Sequence, residues 1–292
     1  MLSLIYTLFL SASAVHAADL PPGPLVSQEQ ESYFSRYSLG FAAEPDQPQG
    51  SIILPHGRPF PSLPTDPRDL KIGLRKTSQN KIEADVGGYR SVYGWKGKLG
   101  SETTVFHAGI EGNAYFTMRK KGLKFPLETS DGLFGLYGEA LRGDWMYQLR
   151  FTHISAHLSD GSPDVTRSIS YSREFFVLRA ARQIDWVRPY AGLIAIVNST
   201  PDEINKVGAQ IGFYAIPRIK WGLVHPYFGS DFRIFGGREG STLNLSAGLA
   251  LISQLGAPPI RIALHYLSGN DLRGQFFDKK IKRFSGGLEL DF

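Results

Sequence analysis

The block from His153 to Asp160 contains the side chains of this sequence that are most suggestive of chemistry. It reads His153-Ile-Ser155-Ala-His157-Leu-Ser-Asp160, and alternation along an extended chain would place His153, Ser155 and His157 on one face. A serine beside a histidine and an acid is the arrangement of a hydrolytic triad, for which Ser155, His157 and Asp160 are the catalytic candidates. Two histidines and an aspartate are also donors that a divalent metal accepts.

A structural role is nevertheless the interpretation that we favour for this block. Its candidates run into the loop Asp160-Gly161-Ser162-Pro163, which is ordinary turn material and would hold a nucleophile poorly. We therefore expect no enzymatic activity, no metal and no cofactor. Hydrolysis of lipid near this block stays as the alternative.

Composition restricts the class of protein that must position these residues. The chain has 292 residues, of which 42% are hydrophobic and 20% charged, which argues against wholesale disorder. The absence of cysteine excludes disulfides, zinc–thiolate sites, iron–sulfur clusters and thiol nucleophiles. A net charge of +5 is too thinly spread to predict nucleic-acid binding.

The first 67 residues read as two segments that precede the main fold. Residues 1–17 combine an apolar run with small residues at Val15 and Ala17, which is typical of a secretory signal peptide. Residues 18–67 hold 10 of the 18 prolines and form a Pro-rich N-terminal arm with little regular structure. That arm is either a plain linker or a segment that packs into the following domain.

Residues 68–292 alternate between apolar and polar side chains in segments of about ten residues, the length of a tilted strand that crosses a bilayer. In Thr242–Ile252, for example, Leu243, Leu245 and Leu249 oppose Asn244 and Ser246. We predict an all-β fold, an antiparallel transmembrane β-barrel of about 12 strands. The segments are roughly 70–77, 82–93, 104–116, 132–142, 145–156, 168–181, 187–197, 206–215, 225–236, 242–253, 260–268 and 281–292.

The connections predict an orientation in the membrane. If both termini face the periplasm, most of the longer connections lie outside, and these would carry Lys121, Ser162 and Lys279. The four tryptophans lie in or beside the predicted inward turns, where an interfacial aromatic girdle is expected. They are Trp95, Trp145, Trp186 and Trp221.

Polar faces oppose the apolar faces of these segments and supply the predicted lumen-lining charges. A cation on the lipid side would cost about 2–4 kcal/mol at the bilayer midplane, whereas charges in the lumen can pair and hydrate. We expect most of them to neutralise one another; the alternative is a cationic stripe of Arg150, Arg233 and Arg261 that selects anionic solutes. The predicted set is Glu111, Glu139, Arg150, Asp231, Arg233, Arg261 and His265.

The last segment resembles the signal by which Gram-negative outer-membrane barrels are recognised for insertion. Leu288 and Leu290 alternate with polar residues before the terminal Phe292, which we expect to be the assembly signal. The expected location is therefore the cell outer membrane. The expected partners are outer-membrane lipid, lipopolysaccharide and the barrel-assembly machinery.

Several short motifs resemble a bacterial family known as domain of unknown function 1207. The resemblance covers roughly residues 60–292 and implies an outer-membrane-like protein, but it brings no activity, ligand or catalytic residue. The motifs are Phe60-Pro-Ser-Leu-Pro-Thr-Asp66-Pro67-Arg68, the Ser155–Asp160 block, Ser172-Arg173-Glu174, Gly274-Gln275-Phe276-Phe277 and the ending Gly-Leu-Glu-Leu-Asp-Phe.

Three function classes follow from these patterns. The favoured class is an integral outer-membrane barrel, either a narrow solute channel or a structural barrel. The second is an outer-membrane lipid hydrolase with its site in the His153–Asp160 block. A soluble binding barrel of lipocalin type is disfavoured, because eight strands would suffice there and the apolar faces would point inward.

Overall fold

The structure is a computed structural model in which residues 47–163, 166, 168–202, 205–219, 221–252 and 258–291 are described. The predicted signal peptide, residues 18–46 of the arm and Phe292 lie outside these residues. Among the residues described, no helix is long and apolar enough to cross a membrane.

Twelve antiparallel strands, β2 to β13, form a closed barrel, so the predicted fold class is confirmed. Each strand pairs with its neighbours along the chain, and pairing of β13 with β2 closes the ring. Closure leaves no open edge in the ring. The strands are β2 Ile72–Thr77, β3 Lys81–Leu99, β4 Glu102–Arg119, β5 Leu127–Arg142, β6 Trp145–Leu158, β7 Tyr171–Arg182, β8 Val187–Thr200, β9 Val207–Ala215, β10 Val224–Phe235, β11 Ser241–Leu251, β12 Ile260–Asn270 and β13 Lys280–Leu290.

An additional strand, β1, lies outside the ring and was not predicted. Gly50–Ile53 pairs antiparallel with residues 93–96 of β3. The β3–β4 hairpin is also longer than the predicted segments 82–93 and 104–116. Gly94 and Gly97 carry no side chain that could show the alternation, which is why the sequence pattern fades before the strand ends. Trp95 consequently lies within β3 rather than in a turn.

The connections define two ends of the barrel. We call the end with connections 100–101, 143–144, 183–186, 216–223 and 252–259 the lower end. The end with connections 78–80, 120–126, 159–170, 201–206, 236–240 and 271–279 is the upper end. Trp145, Trp186 and Trp221 lie at the lower end. The tight turn between β5 and β6 uses Gly143 with a φ of 57°, a conformation that glycine adopts without steric cost.

The two faces of the wall have opposite character. In β6, Gln148, Arg150 and Thr152 are buried, whereas Leu149 and Phe151 are exposed. The same alternation holds around the ring, so the interior is polar and the exterior is largely apolar. Exposed apolar side chains include Leu74, Ile110, Phe134, Leu136, Leu178, Leu193, Ile211, Leu245, Ile262, Leu264, Phe284 and Leu288.

A non-regular segment, residues 58–71, fills much of the interior, and we call it the plug. Every residue from 58 to 66 is buried, so the interpretation of this part of the arm as a plain linker is wrong. At the lower end, Phe60 and Leu63 of the plug belong to an apolar cluster that includes Met146, Tyr190 and Tyr214 of the wall. A second cluster, nearer the upper end, contains Leu70 together with Tyr115, Leu133, Ile154, Ala156, Tyr171 and Phe277.

Candidate functional site

The interior of the barrel, where the plug meets the wall, is the candidate functional site. Proline occupies positions 59, 61, 64 and 67 of the plug, which removes backbone donors that the lumen would otherwise have to satisfy. Three of the donors that remain are bonded locally: Leu63 N–H to Asp69 (2.6 Å), Asp66 N–H to the Leu63 carbonyl (2.8 Å) and Arg68 N–H to Asp66 (2.8 Å). The plug therefore holds its own turn without strand pairing.

Asp66 is the centre of the network that joins the plug to the wall. Its carboxylate accepts hydrogen bonds from Arg179 of β7 at 2.6 Å and from Arg233 of β10 at 2.5 Å. Gln210 of β9 donates at 3.0 Å to Asp66 and at 2.5 Å to Asp231. Tyr190 donates to the same Asp231 at 2.7 Å. One plug carboxylate is thus held by three strands, and Arg179 and Asp66 are both almost fully buried.

Each of the other plug charges that lies in the lumen also meets a partner. Arg58 pairs with Glu139 of β5 and stacks over Tyr89, 3.4 Å from the ring centroid. Lys71 lies 3.8 Å from Glu289 of β13. Asp69 accepts a hydrogen bond from the Tyr89 hydroxyl at 2.7 Å. Since removing one member of a buried ion pair is costly, these contacts fix the position of the plug.

The connection 271–279 enters the lumen from the upper end and meets the plug at Asp131 of β5. Asp131 accepts hydrogen bonds from Arg68 at 3.0 Å and from the backbone N–H of Gly274 at 2.9 Å. A Cβ at position 274 would lie 2.5 Å from both Ala156 and Tyr171, so only glycine allows this approach. The connection and the plug together fill the lumen from opposite ends.

Two carboxylates of the upper end have shifted pKa values. Burial alone would raise the pKa of Asp271, but Arg273 outweighs this effect and holds the pKa below its usual value. Burial raises the pKa of Glu239 above its usual value, and its neighbour Arg173 only partly offsets that.

The predicted lumen-lining residues all lie on the interior side of the wall. Arg150 binds Glu111 through two hydrogen bonds of 2.7 and 3.0 Å. Arg233 binds Asp66, and Arg261 pairs with Asp291. His265 lies 3.1 Å from Glu289; Glu139 and Asp231 bind the plug network as described above. The three arginines of the alternative cationic stripe thus each have a different acidic partner.

Sequence analysis missed several members of this network. Arg173 and Arg179 lie on the same buried face of β7, and their six-residue separation in an alternating strand is a signal that could have found them. Asp66 and Arg68 belong to the resemblance motif, but a proline-rich segment has no periodicity that reveals which side chains point into a lumen.

The His153–Asp160 block does not form the triad that the sequence suggested. His153, Ser155 and His157 do share one face of β6, and it is the exterior face. Nδ1 of His153 lies 2.6 Å from Glu174 on the neighbouring β7, and its ring packs on Phe134. Among the hydrogen bonds of the described residues, none joins Ser155, His157 and Asp160 to one another. Glu174 is therefore the acidic side chain in contact with a histidine of this block.

Metal binding receives no geometric support in the described part of the chain. No group of three or more histidine, aspartate or glutamate side chains there is arranged to hold an ion.

Several solved structures of outer-membrane proteins are similar to the barrel at low identity. The barrel is similar to outer membrane phospholipase A from Escherichia coli, at 15% identity and a TM-score of 0.46, over 76% of this chain and 95% of that one. An active-site mutant of the same enzyme gives 14% identity and a TM-score of 0.49, over 88% and 97%. The β domain of the Bordetella autotransporter BrkA gives 12% and 0.42, over 76% and 96%. Likeness at this identity concerns the fold alone.

The family assignment rests on sequence. No curated protein matches the chain significantly. A family model described as a protein of unknown function, DUF1207, matches residues 32–292, which include all the motifs of the resemblance. The chain therefore belongs to the DUF1207 family.

Proposed function

We propose that this protein is an integral outer-membrane barrel whose lumen is closed, and that it serves a structural or ligand-holding role rather than the passage of solutes. The observation that carries the proposal is the plug: residues 58–66 are all buried inside the ring, and their charges are paired with the wall. An open channel needs a continuous watered path, and the plug and the connection 271–279 occupy that path.

The distribution of side chains supports the membrane location. The exterior side chains of Leu136, Leu193 and Leu264 are 60%, 60% and 62% exposed. In water, burial of such side chains would be favourable. The interior instead holds the charges, and a closed ring satisfies the backbone, as a bilayer requires. In this proposal the exterior contacts outer-membrane lipid and lipopolysaccharide, and β13 is recognised by the barrel-assembly machinery.

Membrane fractionation tests the location. We expect the protein to sediment with outer membranes and to migrate differently on a gel before and after boiling, because a folded barrel resists detergent. Cysteines introduced at Lys121, Ser162 and Lys279 should react with an impermeant reagent on intact cells, and the native chain has no thiol to give a background. A soluble protein, or protection of all three positions, would contradict the proposal.

Planar bilayers test the closed lumen. The native protein should show no steady ion conductance. A variant in which residues 58–66 and the connection 271–279 are both replaced by Gly/Ser linkers of equal length should conduct, provided that its gel mobility shows a folded barrel. Steady conductance of the native protein would overturn the proposal.

A second candidate, lipid hydrolysis at the exterior, is favoured by the contact between His153 and Glu174. A histidine oriented by a carboxylate is the base–acid half of a hydrolytic site, and Ser155 lies on the same exterior face two residues along β6. An ionisable pair on a lipid-facing wall is itself a reason to expect a function.

Phospholipid hydrolysis in mixed micelles tests this candidate. If it is correct, Ser155→Ala and His153→Ala abolish fatty-acid release, and Glu174→Gln lowers it strongly, while His157→Ala serves as the matched control on the same face. No release by the native protein would exclude the candidate and leave the closed barrel as the role.

A further inference from the structure

A cavity of about 110 Å³ remains in the upper half of the lumen. Arg68 of the plug and Arg179 and Arg233 of the wall contribute to its lining, as do residues of the connections 236–240 and 271–279. The cavity belongs neither to the packed lower end nor to the exterior pair of His153 and Glu174.

Arginine side chains outnumber carboxylates in the lining of this cavity. Five arginines line it, against the two carboxylates of Glu239 and Asp271; the arginines are Arg68, Arg150, Arg173, Arg179 and Arg233. Most of the carboxylates that pair with these arginines are absent from the lining of the cavity. They are Asp66, Asp69, Glu111, Asp131 and Asp231.

Arg173 has donor capacity that its neighbours do not use. Its guanidinium pairs with Glu239 and stacks over Tyr171 at 4.6 Å and Phe277 at 5.1 Å. Its Nε is buried and has no hydrogen-bond acceptor in the described part of the chain, although only 9% of the side chain is exposed. A guanidinium has five N–H donors, and an unsatisfied buried donor carries a cost that an added acceptor would remove.

Most of the remaining wall of the cavity is apolar, although Thr242 and Asn270 also line it. Its apolar side chains include Leu133, Ile154, Phe175, Val177, Ile194 and Ile196. A small number of convergent polar groups on a largely apolar wall is the usual composition of a site for a small organic molecule.

We propose that this cavity binds a small organic carboxylate that carries a short apolar group. The carboxylate would accept hydrogen bonds from Arg173 and its neighbouring arginines, since guanidinium groups match carboxylate geometry, and the apolar group would contact Ile194 and Ile196. An engineered cavity of about 150 Å³ admits benzene, so the smaller volume here limits the ligand to a short carboxylate, and butanoate is the largest probe that we would use. Binding of this kind requires no flow through the lumen; it rests on the closed-barrel proposal and names the ligand class for a ligand-holding role.

Calorimetry on the full-length protein in detergent micelles tests the ligand class. The probes are butanoate, butan-1-ol, butylammonium and inorganic phosphate. Butanoate should bind at least about tenfold more tightly than each of the others, because only it offers both a charge-assisted acceptor and an apolar chain. No butanoate binding, equal binding of butylammonium, or phosphate binding as tight as butanoate would each overturn the proposal.

Two variants place the site in the cavity. Arg173→Gln should weaken butanoate binding about tenfold or more, while Arg182→Gln, an exposed position of the same strand, should leave it unchanged. Glu239→Gln should tighten binding severalfold, because it releases Arg173 from its internal partner; a purely structural role for Glu239 predicts no gain.

A third variant covers the case in which Arg173→Gln does not give a folded barrel by gel mobility. Val177→Phe fills the cavity from the wall without changing its charge, and it should abolish butanoate binding. Native-like binding by a folded Val177→Phe protein would overturn the location of the site.

Discussion

The two ends of the lumen are built from the same kinds of residue but are packed differently. At the lower end, Phe60 and Leu63 lie fully buried against Met146 and the wall tyrosines. At the upper end, aromatic and aliphatic side chains again face the interior, yet a cavity of about 110 Å³ remains between Arg68 and the connections above it. The plug enters from one end only, and this difference separates a region that stabilises the fold from one that has room for a ligand.

The boundary between these regions is the network around Asp66. Arg179 and Arg233 bind Asp66 on the plug and also line the cavity. The same ion pairs therefore fix the plug below and present guanidinium groups above. Substitutions in the network around Asp66 should therefore affect both ends of the lumen. Substitutions below or above this network should affect only one end.

The largest effect should come from Asp66→Ala. It leaves Arg179 and Arg233 buried without their shared acceptor, and breaking a buried pair in this way costs about 3–5 kcal/mol. The measurement is the free energy of unfolding in urea, followed by tryptophan fluorescence in phospholipid vesicles. Asp160→Ala, in an exposed turn, is the control. An equal free energy of unfolding for the two variants would contradict the central position of Asp66.

Leu63→Ala should destabilise the lower end by roughly 3 kcal/mol, because Leu63 is fully buried in the cluster and its truncation leaves a cavity. The same unfolding measurement applies. The upper cavity should remain intact, so butanoate binding by the folded variant should stay at the native level. Loss of that binding would mean that the two ends are not independent.

Alternation in the sequence was sufficient to predict the ring, since each predicted segment corresponds to one strand. Leu243, Leu245 and Leu249 carry the signal because the pleat sends successive side chains to opposite faces. The alternation of apolar and polar side chains ends at Gly94 and Gly97, because glycine has no side chain that shows which face of the strand it lies on. β1 was missed because it is only four residues long.

The interior network was beyond sequence reasoning for a different reason. Arg150 and Glu111 are 39 residues apart, and Asp66 and Arg233 are 167 apart. Alternation predicts that each faces the interior, but the partner depends on strand register and on where the plug lies. The exterior contact of His153 with Glu174 depends in the same way on the β6–β7 register.

A pair of enlarging substitutions compares packing at the two ends directly. Ala263→Val adds methyl groups to a fully buried position of the lower cluster and should cost about 1–3 kcal/mol through overpacking. Val177→Ile adds one methylene beside the upper cavity and should cost less than about 1 kcal/mol. The measurement is the free energy of unfolding of each variant relative to the native protein. Similar costs at both positions would show that the upper cavity does not accept additional volume.

The smallest effect should come from an ion pair at the lower end that lies outside the lumen. Arg142 donates to Glu102 at 2.5 Å, a distance comparable with the interior pairs, but their side chains are 43% and 54% exposed. Water screens such a pair, so Arg142→Ala should lower the free energy of unfolding by less than about 1 kcal/mol, and added salt should reduce even that. Arg58→Ala is the matched interior change, since Arg58 and Glu139 are buried and the unpaired Glu139 would remain in the lumen. A loss for Arg142→Ala as large as that for Arg58→Ala would mean that proximity of the charges, rather than their burial, determines how strongly the plug is held.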